Sequence, residues 1–491
     1  MNDFGEKDGG ENTMGFPVSI YPCNDWCGSW IRQYLAFQLC GILQWRRVIL
    51  IPYLIAIAIM GVPFLILEYG MGFTFKDSFS NTLKRINPKL EYISWILLLF
   101  VFIVVIYYIV ILSWDLVYLG SSFTFKWGTD AALYFVDSVG GSSNLSNAGF
   151  LLIPTTICTL IMWIIVWFVS HRDLNEGIGK LSKILIPTLF VLMAIIVIYA
   201  LTLPGANIGI ETLIKPDWMK LLDINIWLAA FSQILFSLSM GQAIAFTYAS
   251  YLPEKSKLND NVLLVVFANS AFEVFTAFGI FSILGYMSFT SGTPMVQLVS
   301  EGTGLIFIVF PMIFNIMGVA GHILAPVLFI AILFAGISSA VAIFEPMVSS
   351  IENKFNMTRR KTVTVLSVIG CLLSLIFTTG ISSYLVGVVD GFVNEFGVLL
   401  LIAIQCIIFT WIYDVDSLIP VLNENSRFKV GKTWKFIIKY VLPLVLIVMW
   451  LIGIGNLFAN ANSFEITVDI VIMVAVLAFS IIFTKIKPKE N

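Results

Sequence analysis

Uninterrupted apolar runs of about twenty residues leave a chain few folds, and this one carries eleven of them, near 49–69, 93–120, 149–170, 183–202, 225–250, 261–288, 322–350, 363–379, 384–412, 437–457 and 466–484. A run of that length crosses hydrocarbon as a helix, because lipid offers backbone N–H and C=O groups no partner outside their own segment. The rest of the chain agrees: 59% of residues are hydrophobic, only 12% are charged and the mean hydropathy is +0.94. Soluble domains carry about 25% charge, and one this apolar could not cover its own surface. The fold class is therefore all-α, a polytopic membrane protein. The stretch 296–320 is apolar but broken by Gly302, Gly304 and Pro311, which predicts a helical loop outside the bilayer, not a crossing.

Charge sets orientation. Assigning the gaps between runs alternately to two sides puts twenty-one Lys and Arg residues on one side, among them Lys76, Lys84, Arg85, Lys89, Arg172, Arg359, Arg360 and Lys439, against Lys126, Lys215 and Lys220 on the other. The basic side is cytoplasmic by the positive-inside rule, which places the carboxyl terminus inside and runs the span 49–69 from outside to inside. Something must carry the chain out before residue 49, yet no apolar run precedes it; one crossing is missing. A net charge of −2 excludes a nucleic-acid binder. Six cysteines in 491 residues make no disulfide framework; Cys158, Cys371 and Cys406 lie in apolar runs as packing residues. His171 and His322 are isolated, against a histidine metal site.

Transport sites at mid-membrane need irregular backbone, since unwound carbonyls and helix ends hold a bare ion. Two clusters qualify: Phe236-Ser237-Leu238-Ser239-Met240-Gly241-Gln242 and Ala335-Gly336-Ile337-Ser338-Ser339-Ala340. Serines in membrane helices also bond back to their own turn, and small residues also permit close helix packing, so each cluster alone leaves both readings open. Buried ionisable groups add weight because each is costly in lipid unless solvated or paired; Glu68, Glu273, Glu345 and Asp390 lie inside or at the ends of runs. Asn269 and Glu273, four apart, share one helix face. Hard oxygen ligands without a histidine or thiolate cluster favour an alkali or alkaline-earth ion. No nucleophile–base pair stands among the spans, so an enzyme is not expected.

From Ile51 onward, about nine-tenths of the chain resembles the neurotransmitter:sodium symporters, and closely their bacterial leucine-transporter branch. The shared strings are Ile51-Pro52-Tyr53, Gly61-Val62-Pro63 with Glu68, Ile106-Tyr107-Tyr108 with Ser113-Trp114, Pro187-Thr188-Leu189-Phe190, Thr247-Tyr248-Ala249-Ser250-Tyr251 and Phe334-Ala335-Gly336-Ile337-Ser338-Ser339. The resemblance implies a 5+5 inverted-repeat transporter fold of twelve helices, with the first and sixth broken. It implies that Tyr108 holds the substrate carboxylate, that Val104 lines the pocket and that Phe236 closes it. Ser237 and Asn269 match ligands of a first sodium; the Ala335 carbonyl, Ser338 and Ser339 match ligands of a second. Ser239, Gln242, Ser339 and Ile343 match positions around the substrate side chain, and Asp390 matches the acidic half of an outer gate formed with Tyr108 and Phe236. Glu273 stands where bacterial members carry the negative charge that chloride supplies in animal ones, which implies chloride-independent transport. Gly177 and Pro187 match the pair at which the fifth helix unwinds. Two departures stand out: Gln242 replaces a common aromatic, opening the pocket to a more polar side chain, and Asn353 replaces an inner-gate aspartate, with Glu352 beside it as a candidate substitute.

The family's strongest motifs should precede Ile51: W-G-S-R, then G-L-G-N-I-W-R-F, then N-G-G-G. Residues 14–48 show none of them. Tryptophan and methionine have single codons, so the gene is partly readable in a frame shifted by one base. There, Met14 into Gly15 must read tryptophan. Trp26 into Cys27, Trp30 into Ile31 and Trp45 into Arg46 must read glycine, while Gln33 into Tyr34 and Gln44 into Trp45 read only asparagine or serine. The shifted frame permits W-G-S-R-F from Met14, G-L-G-N-I-W-R-F from Trp30 to Gln38 and N-G-G-G from Gln44 to Val48. Asp8 into Gly9 permits a methionine start. Residues from about 8 to 49 thus read as a frameshifted translation, in which Cys23, Cys27, Cys40, Arg46 and Arg47 carry no function.

The expected organisation is a frameshifted amino terminus and first helix over 1–48, the rest of the transporter core over 49–412, and two final helices with a cytoplasmic tail over 413–491. The expected function is sodium-coupled import of an amino acid or similar small zwitterion across the plasma membrane by alternating access, with two sodium ions and the lipid bilayer as partners and a homodimer as the possible assembly. The alternatives are a transporter-like amino-acid sensor without turnover, or the inactive product of a damaged gene.

Overall fold

The computed structural model describes residues 50–172, 180–215, 218–295, 304–459 and 461–486. The shifted-frame segment and Gly177 lie outside them. Regular structure among the described residues is helical, apart from one isolated bridge between Leu151 and Thr379.

Ten helices there are long and apolar enough to cross a membrane. In chain order with the shorter helices that matter for the site, they are α1 (Ile51–Phe75), α2 (Pro88–Ser122), α3 (Ile153–Ser170), α4 (Lys180–Leu201), α5 (Ile224–Ser237), α6 (Ile244–Ser250), α7 (Leu258–Ser291), α8 (Leu305–Ile316), α9 (Val319–Phe355), α10 (Arg359–Thr378), α11 (Ser382–Ile412), α12 (Lys432–Ala459) and α13 (Ser463–Lys485). The run 225–250 is the exception to continuity: it folds as two helices, α5 and α6. In the interrupted stretch 296–320, the described residues from 304 onward form the short α8 and then the start of α9.

Helices outrun the apolar segments that announce them. Hydropathy marks the hydrocarbon slab alone, whereas a helix continues until its last carbonyls are capped. The left-handed residues Lys76 after α1, Gly292 after α7 and Asn356 after α9 supply such stops. Lys76 Nζ also donates to the Leu252 carbonyl, and burial lowers its ammonium to about 8.

Burial sorts the helices into centre and rim. In α2 and α9, 83% of the apolar window is covered by protein, against 28% in α12 and 17% in α13. The sequence of α2 shows why: Trp95, Tyr107, Tyr108, Trp114 and Tyr118 present large or polar groups on several faces, all buried. It packs against α9, with α3 and α10 alongside. On the other side α1 and α6 meet so closely at Gly72 that a Cβ there would stand 2.0 Å from the Phe246 carbonyl oxygen.

Candidate sodium and substrate site

The break between α5 and α6 spans 238–243. Three of its residues are left-handed: Ser239 (φ 47), Gly241 (φ 71) and Ala243 (φ 58). Only the glycine adopts that region freely; each of the others costs about 1–2 kcal/mol. Gly241 could hold no side chain, since a Cβ would lie 2.0 Å from Ile402 Cγ1. Gln405 on α11 steadies the opened chain by donating through Nε2 to the Gly241 carbonyl, 3.0 Å. Ser-Leu-Ser-Met-Gly-Gln was the sequence signal for this break.

Where α5 ends, a buried polar cluster forms. Asn269 Nδ2 donates to Ser237 Oγ at 2.6 Å, and Ser237 Oγ donates to Glu273 Oε2 at 3.1 Å. Tyr53 OH and Gln233 Nε2 donate to the same carboxylate. Asn269 and Glu273 sit one turn apart on α7, so the shared face read from sequence is the face turned to α5. Three donors on one buried carboxylate replace the water it has lost, which makes the charge tolerable here. Tyr53 and Gln233 were not singled out as site residues. Tyr53 belonged to a motif string, and Gln233 lies one turn before Ser237 on the same face of α5.

On α9, Ser338 Oγ and Ser339 Oγ both donate to the Ala335 carbonyl, at 2.8 and 3.0 Å. Hydroxyls, amide and carbonyl oxygens are hard, mostly neutral donors, a set suited to an alkali ion. Among the described residues no group of three or more His, Cys, Asp or Glu could hold a metal. Val104 and Tyr108, one turn apart on α2, are buried, as is Ile343 on α9. Ser239 and Gln242 are buried at the break, and Ser239 Oγ and Gln242 Oε1 have no hydrogen-bond partner among the described residues; an orphaned buried group costs about 1–3 kcal/mol. Phe236 borders a cavity of 450 Å³ between α5, α11 and α12 that Asn394 and Glu395 also line.

Asp390 on α11 accepts from Tyr107 OH at 2.6 Å and from Asn394 Nδ2 at 2.8 Å. Pro187 lies inside α4, which runs on through it although proline has no N–H to give the helix. At the basic end, Asn353 Nδ2 reaches Asp77 at 3.5 Å, and Glu352 Oε1 is buried with no hydrogen bond among the described residues. The strong contact is elsewhere: Arg359 grips Glu345 through two bonds of 2.9 and 2.8 Å, and Tyr251 OH donates to the same carboxylate at 3.3 Å. Sequence reasoning marked Glu345 as buried but not its partner.

The model of the Sodium:neurotransmitter symporter family matches residues 34–138 and 128–485. The chain belongs to that family. This symporter is 36% identical, over 89% of its length and 90% of the relative's, to an uncharacterised sodium-dependent transporter of Methanocaldococcus jannaschii. It is 26% identical, over 86% of its length and 76% of the relative's, to the sodium-dependent dopamine transporter of Caenorhabditis elegans. The symporter is a multi-pass membrane transporter and not an enzyme, with sodium as its coupled ion.

Proposed function

We propose that the symporter imports an amino acid or similar small zwitterion across the plasma membrane, chloride-independently, with its carboxyl terminus in the cytoplasm. The observation that carries this reading is the break at 238–243, set directly against the buried Ser237–Asn269–Glu273 cluster. Ser237 and Asn269 then bind one sodium; the Ala335 carbonyl, Ser338 and Ser339 bind a second. Tyr108 holds the substrate carboxylate, with Val104, Phe236, Ser239, Gln242, Ser339 and Ile343 around its side chain. Phe236 and Asp390 close the outer path, while Gly177 and Pro187 mark where the fifth helix opens inward. A first sodium sharing ligands with the substrate raises the affinity of each for the other, which is the coupling. Glu273 supplies internally the negative charge an anion would otherwise bring.

Residues from about 8 to 49 are, in the same proposal, a frameshifted translation of the first helix. Its support is the set of codons forced by Met14, Trp26, Trp30, Gln33, Gln44 and Trp45. Resequencing decides between its two origins: a corrected base restores the helix, whereas a shift present in genomic DNA makes the gene product inactive.

Uptake of labelled amino acids into proteoliposomes by the frame-corrected chain tests the function. Accumulation is expected in sodium and not in choline, and equally in chloride and gluconate. No sodium-dependent signal across the whole amino-acid panel would overturn the proposal, and a strict chloride requirement would overturn the role of Glu273.

A further inference from the structure

Serines in membrane helices ordinarily satisfy themselves on a carbonyl one turn back, as Ser113 does on Val110, Ser250 on Thr247 and Ser338 on Ala335. Ser239 does not. Its backbone is turned to φ 47, and its Oγ has no partner among the described residues although the residue is 1% exposed. Three residues on, Gln242 is 2% exposed and its Oε1 is equally unpartnered. The carbonyl between them, that of Gly241, is occupied by Gln405. The break therefore leaves two buried polar groups, three positions apart in sequence, that the rest of the described protein does not use.

We propose that these two groups select the substrate: the transported amino acid carries an uncharged side chain with a hydroxyl or amide group that pairs with Gln242 and Ser239. This inference rests on the amino-acid symporter reading above. A primary amide offers both donor and acceptor, and a hydroxyl does the same, so the pair serves either kind of side chain. A charged side chain is disfavoured, because Val104, Phe236, Ile343 and Ser339 contribute no opposite charge at a depth where an unpaired ion is costly. An apolar isostere is disfavoured too, since it leaves both groups buried and unpaired.

Threonine and valine differ by one hydroxyl in place of one methyl, and asparagine and leucine are similar in bulk. Competition by each against sodium-dependent uptake, with the frame-corrected full chain in proteoliposomes, reads the preference directly. Threonine and asparagine are expected to compete at least about tenfold better than valine and leucine. Gln242→Leu is expected to bring the threonine-to-valine ratio close to one, and Ser239→Ala to lower it by less. The wild-type ratio decides even if a variant misfolds. Sodium-dependent uptake in which valine or leucine competes as well as its polar counterpart would overturn this inference and leave the symporter standing. Absence of sodium-dependent uptake of any amino acid would overturn the transport reading, and this inference with it.

Discussion

Single residues carry unequal burdens in this molecule, and Asp115 carries the least explained one. It lies on α2, fully buried, with neither carboxylate oxygen hydrogen-bonded among the described residues. A charge there costs several kcal/mol, and asparagine keeps the shape without it. Asp115→Asn is expected to raise the melting temperature in detergent by about 1–3 °C, since about 1 kcal/mol moves a mid-sized domain by a few degrees; a fall would mean the carboxylate has a structural duty. Glu273 is the opposite case, gripped by Tyr53, Gln233 and Ser237. Glu273→Ser leaves those donors facing a space that an anion can fill. Sodium-dependent uptake by this variant is expected to need chloride and to fail in gluconate. Uptake indifferent to the anion would remove the charge argument.

Between elements, two junctions should dominate mutational cost. At the α5–α6 break, Gly241→Ala meets both a left-handed backbone and Ile402, which is fully buried. It is expected to abolish uptake and reduce folded yield, and Ile402→Ala in the same chain should restore part of the yield by removing the clash while the backbone strain persists. At the α9–α10 turn, Arg359→Ala strands the buried carboxylate of Glu345. Removing one partner of a buried pair costs about 3–5 kcal/mol, so thermal unfolding should fall markedly. Arg359→Lys should lie between, because a lysine cannot span both carboxylate oxygens. Equal stability of all three chains would show that the pair is ornamental.

For the whole molecule, ion binding should appear as stability. A ligand that binds only the folded state adds about 2.7 kcal/mol at a hundred times its dissociation constant. The frame-corrected protein is expected to melt higher in sodium chloride than in choline chloride, and higher again with a transported amino acid, whereas the chain made literally as residues 1–491 read should show neither shift. Identical melting of the frame-corrected protein in both salts would argue against sodium held by the folded state.

Much of this is legible in the sequence. Apolar run lengths marked the crossings, with 225–250 singled out because serines and a glycine sit at its middle; Asn269 and Glu273 shared a face by their spacing alone. These are local properties, carried by a turn or two of helix. What the sequence alone could not reveal depends on distance along the chain: Tyr53 reaches Glu273 across 220 positions, and Gln405 reaches Gly241 across 164. Nor could it reveal which polar groups at the break find partners, because Ser113 and Ser239 look alike in an apolar run. Hydropathy acts residue by residue and decides that helices form and cross. Convergence, and the pairing or orphaning of each polar atom, is decided only when helices far apart in the chain pack together.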